Sequence, residues 1–514
     1  MSRFTFERFV ELARAPHPSS QAVAPSDAMR IVPVWRDCVF DADSPVSAFA
    51  KLRREPFGFL LESAPAGGET WARYTYLGSQ PRAAWRCKDG LVEDWDSTSG
   101  WHNPRTPADP LADLEAIVAT PEPVNVPELG AFWTGAVGYF GYDVVRLIER
   151  LPGRKVSRSD IPDALFVLTR AMVIVDNLRA QARIVVSVVL PRDASPEALR
   201  KEYDSAIRDI EDIEASLNEP SRLAAFTLDR DAPPANGRSN MDRETFMRRV
   251  ERIREYIRAG DCFQALLSRR IDLKADFTSG TLYRALRALN PSPYMFHLVL
   301  DCLELIGSSP ELLVRLADDR VTLRPIAGTR PRGKSADEDD RLSKELLADP
   351  KERAEHIMLV DLGRNDVGRV ARYGTVVVSE LMKVEKYSHV LHIVSQVEGR
   401  IKRDLSAMDV FRATFPAGTM TGAPKVRAME IIDELEDDSR GPYAGAVGYI
   451  AGGGKRMDLA ITIRTCIIAD GVASIQAGAG IVADSVPETE WDETESKAGA
   501  LLAAIGQVRA SGSD

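Results

Sequence analysis

Two pairs of glutamates carry the spacing most suggestive of chemistry. Glu352 and Glu355 lie in DPKERAEHIMLVDL, and Glu490 and Glu493 in PETEWDETESKAGALL. Each pair is spaced i,i+3, which in a helix puts both carboxylates on one face. Four converging carboxylates repel one another unless a cation sits among them, so the pattern points to a hard-metal site, of the Mg²⁺ kind. A second reading uses the same residues. Glutamate is common on solvated helix faces, and near a helix start the dipole favours it. Asp349-Pro350 reads as an N-cap with proline at N1, which puts Glu352 at N3, where it can close a capping box. Ser485 and Glu488 give the second segment a similar cap signature. The structural reading thus covers Glu352 better than Glu355.

Other segments offer complementary charge. Phe415-Pro-Ala-Gly-Thr-Met-Thr-Gly-Ala-Pro-Lys425 is a glycine-rich turn leading into a helix over 426–435, and its backbone N–H groups suit a carboxylate or phosphate. It is not a nucleotide P-loop: Ala423 and Pro424 separate Gly422 from Lys425, and Val426 stands where a metal-binding Ser or Thr would be. Gln476-Ala-Gly-Ala-Gly480 is another compact backbone segment. Arg464, in ITIRT, sits in an alternating strand-like run and either projects into a cleft or is solvated. Pro325-Ile-Ala-Gly-Thr-Arg-Pro-Arg332 puts Thr329 and Arg330 in a constrained turn. The sum is a magnesium-assisted site for a small polycarboxylate, with arginine matching one carboxylate and the metal another.

The elements that must position these residues are those of a large globular chain. It has 514 residues, 44% hydrophobic and 28% charged, with a net charge of −10. That balance gives no overall attraction to nucleic acid or to an anionic membrane. Five scattered cysteines without a CxxC argue for a reducing compartment. No apolar run approaches a membrane span and no secretory signal is visible, so the cytoplasm is the default location. Strand signals fall at 57–61, and 171–175 with 182–190 form a hairpin candidate. A polar helix covers about 195–217 and another 242–259. Residues 228–240, rich in Pro, Gly and Asn, read as a linker or surface loop between an N-terminal region (1–227) and a C-terminal region (241–514). Gly135-Ala-Val-Gly-Tyr-Phe140 recurs as Gly445-Ala-Val-Gly-Tyr-Ile450. The match is either accidental or marks equivalent strands in two halves of a pseudo-symmetric sheet.

At this point the motifs resemble a known family. GDCFQALLS (260–268), GSSPE (307–311), RPIAGTRPRG (324–333), DPKERAEHIMLVDLGRND (349–366), KVEKYSHVLHIVS (383–395), FPAGTMTGAPK (415–425) and ETEWDET (488–494) follow the order found in the chorismate-utilising enzymes. Within them the chain most resembles the anthranilate-forming large components. The resemblance implies an α+β fold: an α/β sandwich of large, mainly antiparallel β-sheets with outer helices, in two intertwined lobes. It implies Glu355 and Glu493 as Mg²⁺ ligands, with Glu352 and Glu490 supporting them. Gly328, Thr329, Thr419, Tyr443, Arg464, Gly478, Ala479 and Gly480 resemble the substrate-contacting set, Tyr443 and Arg464 holding the enolpyruvyl carboxylate. Glu311 resembles the general acid for loss of the C4 hydroxyl, and His392, rather than His356, the family histidine.

The reaction so implied adds ammonia at C2 of chorismate, expels the C4 hydroxyl, then eliminates pyruvate to give anthranilate. Gln264, Ala327 and Lys497 stand at specificity positions. Water-using relatives carry lysine where Gln264 stands, and many folate-branch relatives carry a nucleophilic lysine where Ala327 stands. Aminodeoxychorismate formation is therefore the alternative product. An inactive amino-acid-binding regulatory subunit is a third reading. Leu61, Glu62 and Ser63 with Asn290, Pro291, Pro293, Tyr294 and Met295, and Cys466 nearby, resemble a tryptophan-inhibitory pocket, Glu62 taking the amino group. The chain shows no recognisable glutamine amidotransferase segment, so a separate subunit supplying ammonia, in a hetero-oligomer, is expected.

Overall fold

The strand Gly135–Phe140 is buried along its whole length. Its side chains alternate between two apolar cores, Val137 and Tyr139 in one and Ala136 and Phe140 in the other, as the period-two geometry of a strand requires. Its neighbour is the second copy of the repeat. Ala446–Ala451 pairs with it antiparallel, Gly448 opposite Gly138. The two glycines allow close approach on the outer sides. A Cβ at Gly138 would lie 2.0 Å from the Leu165 carbonyl oxygen, and one at Gly448 2.2 Å from that of Asp458.

The computed structural model describes residues 4–15, 29–63, 73–153, 160–221, 223–229, 231–387 and 390–512. Ser388 and His389 of the KVEKYSHVLHIVS motif, and Arg230 of the 228–240 segment, lie outside these residues. Among the described residues there are two large sheets, of 13 and 12 strands. The strand pairs between sequence neighbours are antiparallel throughout, including the hairpin Ala171–Asp176 with Gln181–Pro191. The larger sheet is centred on Phe57–Glu62 paired with Tyr294–Leu300, and the smaller on the two GAVGY strands. In each sheet, strands from the first part of the chain lie on one side of that centre and strands from the second part on the other. One apolar core holds residues of both sheets, such as Val34, Leu298, Val137 and Ala460. Helices cover the outer faces: Pro196–Asn218, Ser279–Leu289 and Pro487–Ser511 on the larger sheet, Pro350–Val370 and Ala407–Thr414 on the smaller.

The two parts repeat one topology. From Met29–Val39 onward the first runs strand, helix, two strands across the centre, then across to the smaller sheet and back. From Gln264–Lys274 onward the second does the same. One difference matters for function. In the first part Leu91–Asp96 and Gly100–Arg105 form a tight hairpin. In the second, the corresponding strands Arg320–Leu323 and Val390–Arg400 are separated in sequence by a strand, two helices and a further strand.

At Asp229 and Ala235 the 228–240 segment meets the C-terminal helix, and at Arg238–Ser239 it pairs with the strand Gln264–Lys274. Asp229 N–H donates to Gln507 Oε1 at 2.7 Å, and Ala235 N–H to the Leu502 carbonyl at 2.9 Å. Gly506 makes room for it, since a Cβ there would meet the Pro233 carbonyl at 2.1 Å.

Candidate active site

Two short crossings between the sheets hold the most unusual charges. Glu311 stands where the chain leaves Leu303–Ser309 of the larger sheet for Leu312–Ala317 of the smaller. Arg464 stands where it returns, from Met457–Ile461 to Thr465–Ala469. It lies in no strand, contrary to the alternation of ITIRT, and takes a left-handed φ of 48° because the chain must turn between sheets there. The crossings are stitched together: Ile461 N–H donates to the Glu311 carbonyl at 3.0 Å and Ser308 N–H to the Arg464 carbonyl at 3.1 Å.

Burial pushes the Glu311 carboxyl up to about 8, against the opposing effects of the Thr419 hydroxyl and of the Lys497 and Arg464 charges. Thr419 Oγ1 donates to Glu311 Oε1 at 3.0 Å. Glu311 is therefore protonated near neutral pH, as a general acid must be. The Arg464 guanidinium makes no hydrogen bond or ion pair among the described residues, and burial lowers its pKa. A cation held this way is ready for an anion.

The glutamates come next. Glu352 and Glu355 sit in Pro350–Val370, Glu490 and Glu493 in Pro487–Ser511. Burial raises the Glu355 carboxyl first, then the charges of Glu352 and Glu493 raise it further. Glu490 is raised by burial and then by Glu493. The two pairs thus share one electrostatic neighbourhood. Glu352 is held by Arg330 at 2.9 Å rather than closing a capping box; Asp349 alone caps the helix, accepting from Lys351 and Glu352 N–H. Arg330, read above only as part of a turn, also reaches Asp349 at 2.9 Å. The second helix has Val486 at its N-cap with no side-chain cap. Ser485 Oγ accepts from Val482 N–H at 3.0 Å instead.

Glu493 is paired with Lys497 at 2.6 Å, and Lys497 also donates to the Gly478 carbonyl at 2.9 Å. Glu355 is in no ion pair among the described residues and takes only the Gln264 amide, at 3.3 Å. No group of three His, Cys, Asp or Glu side chains among the described residues is already closed to metal-holding distance. The donor set, all carboxylate oxygen and mutually repelling, still fits a hard divalent cation.

Gln264 reaches Glu355 across the strand Val472–Ile481. Leu266 faces Gly480 and Ser268 faces Gly478, and a Cβ at Gly480 would lie 2.4 Å from Gln264 Nε2. Gln264 Oε1 is buried without a partner among the described residues. Thr329 and Ala327 lie in a bulged strand rather than a free turn: Ile326–Pro331 pairs with Val390–Arg400 with a register shift at Gly328, whose φ is 65°. The shift sets Thr329 opposite His392. His392 Nδ1 lies 2.9 Å from the Gly328 carbonyl, an acceptor only, so Nδ1 carries the proton. Burial lowers His392 to about 4. It is neutral near pH 7 with an Nε2 lone pair available. His356 is tied instead to Ser395 at 2.6 Å. Tyr443 is buried, 4% exposed, and precedes Ala444, whose N–H donates to the carbonyl of Thr462, two residues before Arg464.

A cavity of about 470 Å³ lies apart from these residues, between the sheet centres. Leu61, Ser63, Pro293, Tyr294 and Met295 line it. Glu62 is on its wall too, its carboxylate held by Arg287 through two bonds of 2.7 and 2.8 Å and by Tyr283, which donates at 2.9 Å. Two expectations are corrected. Cys466 pairs with Ile306, which shares the face of His297, and the His297 ring stacks on Tyr283 of the outer helix. Its side chain points away from the cavity. Asn290 and Pro291 do not line it either, because Asn290 is the C-cap of Ser279–Leu289. A second carboxylate on the cavity wall is Asp458. Arg315 holds its Oδ2 at 2.8 Å, and its Oδ1 is buried without a partner among the described residues. Nothing in the sequence around Asp458 marks it.

A buried carboxyl raised by burial, an arginine unpaired among the described residues and a carboxylate quartet on a two-sheet scaffold suit a small acid as ligand. The chain belongs to the chorismate binding enzyme family, whose profile matches residues 69–503. It is 44% identical to anthranilate synthase component 1 of Aquifex aeolicus over 481 residues, 93% of this chain and 96% of that one. It is equally 44% identical to the protein of that name from Pseudomonas aeruginosa, over 93% of this chain and 96% of the relative. The crystal structure of anthranilate synthase component I from Streptococcus pneumoniae superposes with a TM-score of 0.72 at 34% identity, covering 90% of this chain and 99% of that chain. The menaquinone-specific isochorismate synthase of Escherichia coli shares the fold, with a TM-score of 0.67 at 19% identity over 97% of this chain and 98% of that one.

Proposed function

We propose that this chain is the synthase component that converts chorismate and ammonia into anthranilate, pyruvate and water, in tryptophan biosynthesis. One observation carries the proposal. Glu311, protonated at neutral pH, stands beside Arg464, whose guanidinium is unpaired among the described residues. An acid to release a hydroxyl and a cation to hold a carboxylate are what the reaction needs.

Arg464 and Tyr443 hold the enolpyruvyl carboxylate. Glu355 and Glu493 would hold Mg²⁺, with Glu352 and Glu490 supporting them; the ion, when bound, neutralises and orients the ring carboxylate. For Glu493 to ligate it, Lys497 must share or release it. As the C2–N bond forms and the C4–O bond breaks, Glu311 gives its proton to the departing hydroxyl, which leaves as water. Loss of the C2 proton and of the enolpyruvyl group, which leaves as pyruvate, then makes the ring aromatic. The Nε2 lone pair of His392 is available to accept a hydrogen bond or that proton. Gln264 has no base to activate water, and Ala327 offers no nucleophile, which supports ammonia addition at C2.

The inter-sheet cavity suits a regulatory tryptophan: tyrosines and leucines for the indole, and the unpartnered Asp458 Oδ1 for the amine. Ammonia would come from a separate glutamine amidotransferase subunit in a hetero-oligomer, and the location would be cytoplasmic. No helix among the described residues is long and apolar enough to cross a membrane.

The deciding experiment incubates the purified chain with chorismate, Mg²⁺ and an ammonium salt and identifies the product. Fluorescent anthranilate is expected, with glutamine unable to replace ammonium. Aminodeoxychorismate would move the chain to the folate branch. No turnover, with tryptophan still bound, would make it a regulatory subunit.

A further inference from the structure

Several segments carrying candidate site residues meet at one buried ion pair that the chemistry above leaves unused. Arg440 is 4% exposed and Glu436, four residues before it, 6%. Arg440 Nε donates to Glu436 Oε2 at 2.8 Å and its Nη2 to Oε1 at 2.7 Å, a two-pronged contact. The rest of the guanidinium reaches other segments. Nη1 donates to the Met420 carbonyl at 2.8 Å and Nη2 to that of Leu266 at 3.1 Å. The guanidinium carbon lies 4.6 Å from the Tyr142 ring centroid and 5.9 Å from that of Tyr443. Glu436 Oε1 accepts from Ser268 twice, from N–H and Oγ, each at 2.8 Å. Gln476 Nε2 closes the network on Ser268 Oγ at 2.9 Å.

The Met420, Leu266 and Ser268 anchors adjoin the candidate site. Met420 follows Thr419, the partner of Glu311. Leu266 and Ser268 face Gly480 and Gly478, and Gln264 begins their strand. A buried ion pair adds little net stability, because desolvation cancels most of its attraction, and well-packed apolar residues often serve as well. What a guanidinium supplies is geometry: a planar fork with five donors at fixed angles, which lysine cannot copy.

We infer that Arg440, locked by Glu436, is a positioning residue for the reaction. It fixes the spacing between the Thr419 turn, the strand pair bearing Gln264 and Gly478–Gly480, and Tyr443. It touches no reacting atom. The inference rests on the function proposed above.

The test compares Arg440→Lys with Lys51→Met, which breaks a well-shielded pair with Asp43 (2.8 Å) far away in the first half of the chain. Melting temperature, kcat and KM for chorismate are measured with saturating ammonium and Mg²⁺. Arg440→Lys is expected to lose about tenfold or more in kcat and to raise KM severalfold, the scale of a sub-ångström misplacement. Lys51→Met, even if its melting point falls as far, should keep both constants. Wild-type kcat and KM in Arg440→Lys would overturn the inference. If that variant does not fold, Glu436→Gln, which frees the fork while remaining isosteric, takes its place with the same criteria. Direct calorimetric binding of chorismate to wild type and variant separates this failure from that of the proposed reaction. Wild-type binding without anthranilate formation sinks the reaction, and equal chorismate affinity in both proteins sinks the positioning.

Discussion

The first and second halves of the chain share a topology but differ at the two places where the chain crosses between sheets. In the second half these crossings hold Glu311 and Arg464, both withdrawn from water and neither in a salt bridge among the described residues. In the first, the corresponding turns hold Arg82, between Tyr74–Ser79 and Ala83–Lys88, and Thr169-Arg170, between Ala164–Leu168 and Ala171–Asp176. Thr169 turns its hydroxyl back onto the Gly135 backbone, its N–H donating to Thr169 Oγ1 at 3.1 Å. Arg170 is spent on an exposed pair with Asp209 at 2.6 Å. The second half also opens its outer hairpin to admit residues 324–389, which bring Ala327, Thr329, Glu352 and Glu355. The shared scaffold thus ties off one first-half crossing, at Thr169-Arg170, and places Glu311 and Arg464 at the two second-half crossings.

The sharpest way to break that contrast is at Glu311. Glu311→Gln keeps shape and burial but cannot donate a proton, and kcat is expected to fall about 10²- to 10⁴-fold. In the wild type, kcat/KM should decline as pH rises through about 8, because deprotonated Glu311 is no acid. It should decline again below about 4, where His392 protonates and loses its Nε2 acceptor. A profile flat through pH 8 would remove Glu311 as the acid. The glutamates follow. Glu355→Gln or Glu493→Gln should cut Mg²⁺-dependent turnover about a hundredfold or more, with tryptophan binding unchanged. Normal turnover in either variant would return these residues to the solvated-face reading.

The paired arginines come next. Arg464→Ala should raise KM for chorismate by roughly 10- to 100-fold, the worth of a charge-assisted hydrogen bond. Arg170→Ala, its topological counterpart, should leave kinetics unchanged within about twofold, as surface pairs carry little. Equal effects would mean that the halves do not differ in role. At the cavity, Asp458→Asn should weaken tryptophan inhibition about tenfold while uninhibited turnover persists. Unaltered inhibition would leave the amine to some other acceptor.

How much of this was legible in the sequence depended on whether a residue's role is local. The i,i+3 spacing of Glu352 and Glu355 is a local fact, and it placed them on one helix with Asp349 as cap. That Arg330 holds Glu352 is a long-range fact and was invisible. The repeat GAVGY was read as either accidental or a mark of equivalent strands, and the two copies pair at the sheet centre, where close backbone approach demands glycine. That Arg287 and Tyr283 hold the Glu62 carboxylate was equally invisible: Phe57–Glu62 is buried along most of its length, so no alternation reveals which face a given side chain takes. Arg464 was misread as a strand residue because turn chemistry usually announces a left-handed φ with Gly or Asn, and here an arginine adopts it. Asp458 carried no signal, since its role depends on a partner, Arg315, on the neighbouring strand.

The smallest expected effect is the most direct test of the first half. Arg82 is half-buried at the crossing that corresponds to Glu311, its Nε has no partner among the described residues, and burial alone lowers its pKa. If the first half is scaffold, this charge does nothing for turnover and costs some desolvation energy. Arg82→Met keeps the stem's packing and removes that cost. Turnover should stay within about twofold and the melting temperature should hold or rise by a few degrees. A turnover loss of the size seen at Arg464 would require the first-half crossing to communicate with the reaction, and the contrast between the halves would become one of degree.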